Sequence, residues 1–246
     1  MFDLLAAWWY NITMTREKKS FIKESKYALF EFDQKDAQMI DELSFVINKD
    51  AEKIFNFFEI ECEKKVKFKI LPTIEDYDNE IRKVNNFTND VDVSSWRIGC
   101  YKNWQICMLS FRCLKDLEKF KNRTFEQYQK TAVHEFVHYV NDIFNKKRNC
   151  GQTEKYLSEG IACYLSGQKN DKTINFNCLI DDVLSHNVNY DSYFALTKFL
   201  VENYDKDIVF DLFESNRKAK EFLQKELFDR TKEYYKIKTD QAKKQS

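Results

Sequence analysis

The chain is short of the residues that interrupt regular structure: 246 residues include 4 glycines and 1 proline. That scarcity favours helices and leaves little material for long ordered turns. Neither sign of charge is in excess, because Lys+Arg and Asp+Glu number 40 each. A neutral chain gives no electrostatic reason to expect nucleic acid or an anionic membrane as partner. No CxxC pair occurs among Cys62, Cys100, Cys107, Cys113, Cys150, Cys163 and Cys178, and an odd number leaves one unpaired. This argues against a disulfide framework and for reduced, mostly buried thiols. No apolar run is long enough to span a bilayer. The apolar run at residues 4–10 is short and follows Asp3, a poor signal peptide, so the expected compartment is cytoplasmic.

Hydrophobic residues make up 43% of the chain, enough for a sizeable core. Residues 27–32 (YALFEF) read as a strand. Asp33 or Asp36 then caps a long helix carrying Met39, Ile40, Leu43, Val46, Ile47, Ile54, Phe55 and Phe58 at helical spacing. Residues 65–71 alternate charged and apolar side chains, the mark of a half-buried strand. Thr73 and Asp76 open a short helix to about Val84, and an Asn/Asp/Ser/Thr-rich loop follows. Residues 96–111 read as a hairpin turning at Lys102–Asn103. Thr124 with Gln127 matches a capping box at the start of a second long helix, to about Asn145. Residues 155–166 form a third helix, and the chain from about Asp181 onward reads as helical.

The order of elements predicts an α+β fold. A small N-terminal sheet lobe carries a long helix, and the C-terminal lobe is all-helical. Residues 1–26 read as an N-terminal extension and 27–237 as one domain, divided into 27–145 and 146–237. Residues 238–246 form a polar tail. A cleft between the lobes is the natural ligand site.

Histidine is the scarcest ionisable residue, with 3 in the chain. Two of them fall in TAVHEFVHYVND, residues 131–142. His134 and His138, four apart, lie on one helix face, so both imidazoles can reach a single ion at about 2.0–2.1 Å. Glu135 projects beside that ion, where it can take a proton from water. An ordinary helix with an exposed histidine pair explains this arrangement poorly. A catalytic zinc takes three protein ligands. Glu159, within TEKYLSEGIACYLSG, lies on an amphipathic helix that can complete a His2Glu set. Glu154 competes for that place but precedes the start of the helix.

HEFVH followed by YLSEGIACYLSG resembles the gluzincin clan, the thermolysin and aminopeptidase group. It is most similar to the small bacterial proteins of the peptidase MA-like family. The resemblance covers about residues 27–214, although the HExxH and SEG-A motifs alone are specific. It implies a thermolysin-like fold, one Zn2+ per chain and hydrolysis of peptide bonds in a peptide or protein substrate. It implies His134, His138 and Glu159 as metal ligands and Glu135 as general base. In such enzymes a Tyr or His of the C-terminal lobe stabilises the oxyanion; the candidates are Tyr193, Tyr190 and His186, in that order. The strand before the metal helix is expected as an edge that pairs with substrate, through Trp104, Ile106, Met108 and Ser110. Two departures stand out. Twenty residues separate His138 from Glu159, slightly more than the commonest spacings. Many relatives have a carboxylate where Cys163 stands, orienting a zinc histidine, and Asp142 is the expected substitute. The rival reading is a zinc-containing regulatory or scaffold module that lacks catalysis.

Overall fold

The structure, a computed structural model, describes residues 20–88, 92–170, 189–227 and 229–236. It is α+β. Five strands form one mixed sheet: β1 (Phe21–Glu24), β2 (Ala28–Phe32), β3 (Val66–Leu71), β4 (Gly99–Lys102) and β5 (Gln105–Leu109). Their order is β1-β2-β3-β5-β4. β2, β3 and β5 run parallel in the centre, and β1 and β4 run antiparallel at the two edges. β1 falls within the segment read from sequence as an extension, so the sheet begins earlier than expected.

The alternation in β3 becomes two faces of the sheet. Val66, Phe68 and Ile70 are buried, and Phe68 stacks on its register partner Phe30 at 5.0 Å. Burying a side chain of this size contributes about 1.5–3 kcal/mol. Lys67 and Lys69 face the other way and pair with Glu31 and Glu80. The helix α1 (Ala37–Phe58) lays Ile40, Leu43, Ile47, Ala51, Ile54 and Phe58 into the core at spacings of three and four. Asp36 occupies its N-cap position but makes no capping bond; the buried carboxylate instead accepts from Ser110 Oγ and Arg112 Nε. That ties the start of α1 to the chain leaving β5. The helix α2 (Ile74–Asn85) starts where expected, with Thr73 Oγ1 accepting from the Asp76 N–H at 3.1 Å.

The hairpin turns one residue later than the sequence suggests. Lys102 ends β4, and the two turn residues are Asn103 and Trp104, with φ of 50° and 65°. Two successive left-handed residues match the twist of a two-residue hairpin. Asn tolerates that conformation; Trp does so at a cost. Contacts of the Trp104 ring offset it, edge-on to Tyr139 at 5.9 Å and beneath Lys146 Nζ at 3.4 Å. β5 is also not an edge. It lies between β3 and β4, so the expected substrate-pairing strand of Trp104, Ile106, Met108 and Ser110 has both sides occupied. The free edge belongs to β4.

The helix α3 (Phe125–Lys147) opens with the expected capping box of Thr124 and Gln127. It packs on α1 through Phe136 against Phe55 and Phe144 against Phe58. After it come α4 (Lys155–Ser166), α5 (Tyr190–Asn203), α6 (Lys206–Glu214) and α7 (Asn216–Phe222). α4 and α5 cross closely at Gly160: a Cβ there would meet Thr197 Oγ1 at 2.0 Å and the Tyr193 carbonyl at 2.3 Å. Six cysteines lie among the described residues and all are free thiols; Cys178 lies outside them. No described helix is long and apolar enough to cross a membrane.

Candidate metal centre

α3 presents His134 and His138 on the side that faces α4, and α4 presents Glu159 back towards them. The two Nε2 atoms are 3.1 Å apart. Glu159 Oε2 lies 3.3 Å from the first and 3.5 Å from the second. His134 is 5% exposed, so this triangle of donors is largely shut off from bulk water. Glu159 Oε2 is buried and has no well-directed hydrogen bond. The outward ring nitrogens have other neighbours: Ser158 Oγ stands 3.3 Å from His138 Nδ1, and Cys163 Sγ stands 3.9 Å from His134 Nδ1. Partners at Nδ1 turn the Nε2 lone pairs inward. Three electron-rich atoms then converge, an arrangement that is costly when buried unless a cation lies between them. His134, His138 and Glu159 can therefore hold a metal ion.

The same contacts set the charges of these groups. Burial alone would raise the Glu159 carboxyl, but its contacts with His134 and His138 outweigh burial and hold it well below the usual range. For His138 burial opposes the charged form, yet the Glu159 and Glu135 carboxylates prevail and raise it. Arg97 acts on His138 in the opposite sense.

Glu135 points from α3 to the free edge of β4, where its Oε2 accepts from the Tyr101 N–H at 2.7 Å. In an antiparallel ladder alternate residues turn their backbone groups outward. Here those residues are Gly99 and Tyr101. Gly99 allows the close approach: a Cβ there would lie 3.2 Å from both Glu135 Cγ and Thr131 Cγ2. Tyr101 also donates its hydroxyl to Asp142 Oδ2 at 2.8 Å. Asp142, expected beside a histidine, thus tethers the edge strand instead. Being four residues beyond His138 gives it the right face, but the tyrosine from β4 takes its carboxylate.

Of the oxyanion candidates, Tyr190 is the one beside the centre. It is the first residue of α5, its ring 6.2 Å from that of His134 and 40% exposed. Partial burial, then the Glu159 and Glu135 charges, raise its phenol and keep it a donor. Tyr193, ranked first from sequence, is buried in the core, with its carbonyl against Gly160. His186 lies outside the described residues. Sequence reasoning missed Gly99, Tyr101 and Ser158. The Ser158–Glu159–Gly160 triplet was the one local signal for Ser158, and nothing local points to the other two.

No family model matches the chain, and neither curated proteins nor solved structures give a match.

Proposed function

We propose that the chain is a zinc metallopeptidase with a thermolysin-like arrangement, in which His134, His138 and Glu159 hold the metal. The observation that carries this reading is the convergence of three largely shielded donors, with a second carboxylate, Glu135, between them and the strand edge of β4. A tetrahedral ion with bonds of about 2.0–2.2 Å separates its ligand atoms by roughly 3.3–3.6 Å. The observed separations of 3.3 and 3.5 Å fall in that frame and the third, 3.1 Å, just below it. When bound, zinc would polarise the scissile carbonyl and make water more acidic.

The chain's own groups supply the rest. Glu135 takes the proton of the attacking water and passes it to the leaving amine. The Tyr190 phenol donates to the developing oxyanion. The outward backbone groups of Gly99 and Tyr101 pair with an extended peptide, which suits chains of varied sequence. Glu135 bonds the Tyr101 N–H in the absence of substrate, so an incoming carbonyl competes for that donor. The same bond favours the second reading, a non-catalytic zinc module in which Glu135 closes the strand edge.

Glu135→Gln separates the two. The amide keeps the shape and can keep the metal, but it cannot accept the proton. Zinc content is expected to stay near one per chain while hydrolysis of a broad peptide mixture falls about 100-fold or more. Equal cleavage by wild type and variant, or none by zinc-loaded wild type, overturns the peptidase reading.

A further inference from the structure

Towards the N-terminal end of α3 three basic residues lie around the start of β4. Arg123, next to the cap residue Thr124, is half-buried. Its Nη1 donates to Thr131 Oγ1 at 2.8 Å, and its guanidinium lies over the Phe120 ring at 5.1 Å. Arg97 is also half-buried, stacked on Trp96 at 4.2 Å, with Nη1 3.2 Å from Cys100 Sγ. Lys119 donates to the Trp96 carbonyl at 3.3 Å. These groups surround the start of β4. Arg97 is two residues before Gly99, and Thr131, like Glu135 one turn further along α3, would lie 3.2 Å from a Cβ at Gly99.

None of the three cations forms an ion pair with a described residue. Other half-buried cations do: Lys69 with Glu80 at 3.0 Å, Arg82 with Asp78 at 3.8 Å and Lys169 with Asp191 at 2.6 Å. Burial pushes Arg123 down from its ordinary value, and no carboxylate among the described residues offsets it. A desolvated guanidinium without a counter-ion is costly. Two of them with a lysine, around the start of β4, leave a place for an anion that arrives with a ligand. The guanidinium planes are already fixed by aromatic rings and by hydrogen bonds, so little freedom is lost when a carboxylate docks.

We propose that Arg97, Lys119 and Arg123 form a carboxylate subsite that selects peptides bearing an acidic group close to the bond cleaved. The proposal rests on the peptidase reading. Thr131 is about one helical turn, roughly 5.4 Å, from Glu135. An extended peptide advances about 3.3 Å per residue, so the acid falls about two residues from the scissile bond. The carboxylate is that of an Asp or Glu side chain or of the peptide's own C-terminus.

The test uses zinc-loaded full-length protein and peptides in matched forms: acidic, with Asp and Glu replaced by their amides, and with the C-terminus amidated. Cleavage is read by mass spectrometry. Binding is read by fluorescence anisotropy on the zinc-loaded Glu135→Gln variant. Acid-bearing peptides are expected to bind and react at least ~10-fold better than neutral ones, the scale of a charge-assisted hydrogen bond. Arg97→Gln, Arg123→Gln and the exposed Lys119→Gln should each narrow that ratio. Loss of the preference on side-chain replacement assigns it to Asp or Glu, and loss on C-terminal amidation assigns it to the terminus. Cleavage without acid preference, or a preference that survives in all three variants, overturns the subsite and leaves the peptidase reading standing. Carboxylate-dependent binding that the variants reduce, with no cleavage of any peptide, upholds the subsite and overturns the peptidase reading.

Discussion

His134 and His138 stand one turn apart on α3, whereas Glu159 reaches them from α4. The histidine pair owes its spacing to helix periodicity alone, and α3 is a well-specified helix: capping box at one end, aromatic contacts with α1 along its length. Glu159 has no such local guarantee. Glu154 occupies the N-cap position of α4 without a capping hydrogen bond, and the helix is placed by its crossing with α5 at Gly160. One half of the centre is thus written in local geometry and the other in tertiary packing. A metal would join α3 to α4 across that difference.

The largest expected effect tests the locally determined half. His134→Ala with His138→Ala leaves one carboxylate where three donors converged, and bound zinc should fall from about one per chain to none by elemental analysis. Unchanged zinc would dismiss the centre. Glu159→Ala should weaken zinc strongly in a competition titration with a chromophoric chelator. Glu154→Ala should leave it unchanged, since Glu154 lies 3.5 Å from Lys220 at the far end of that helix. Equal affinities for wild type and Glu159→Ala would remove α4 from the site.

A subtler substitution breaks the comparison without touching a ligand. Gly160→Ala places a methyl group where Thr197 Oγ1 and the Tyr193 carbonyl already stand, at 2.0 and 2.3 Å. Helices must part or α4 must turn. Overpacking of this kind costs about 1–3 kcal/mol, visible as a lower urea midpoint. It should also loosen zinc while both histidines and Glu159 remain. Unaltered zinc affinity in a destabilised Gly160→Ala protein would mean that α4 packing does not position Glu159.

The same division explains what could be read from the sequence. Local rules located α1, β3, α2, α3 and α4 because each carries its own periodicity or cap, and the spacing of His134, Glu135 and His138 follows from one helix. Glu159 needed the neighbouring motif and a resemblance as well. All but one of the misreadings are non-local. β5 was taken for an edge because chain order does not reveal that β4 folds back outside it. Asp142 was assigned to a histidine because helix geometry gives a face and not a partner. Tyr193 was placed before Tyr190 because the crossing that buries Tyr193 depends on Gly160 and Thr197, far apart in sequence. The turn was displaced by one residue because a left-handed Trp104 has no sequence signature.

The smallest expected effect concerns Tyr101, which joins the strand edge to the metal helix twice. Its hydroxyl donates to Asp142 Oδ2 and its N–H to Glu135 Oε2. Tyr101→Phe removes the first bond and retains the second, together with the edge-on packing against Tyr139 at 6.1 Å. Asp142 is half-buried and can recover water, so the loss in stability should stay near 0.5–1.5 kcal/mol. Zinc should be unaffected, because neither atom belongs to the ligand triangle. Activity should fall a few-fold through kcat more than KM, since a looser β4 leaves the Glu135 carboxylate less well aimed while the ring and the strand edge remain. Asp142→Asn alone, with Tyr101 intact, keeps an acceptor for that hydroxyl and should retain most of the stability and the rate. A Tyr101→Phe protein with the wild-type kcat and a fully lowered melting temperature would show that this contact supports the fold and does not aim Glu135. A zinc affinity that fell with it would show that the strand edge helps to hold the histidines, and the two halves of the centre would then be less separate than their construction suggests.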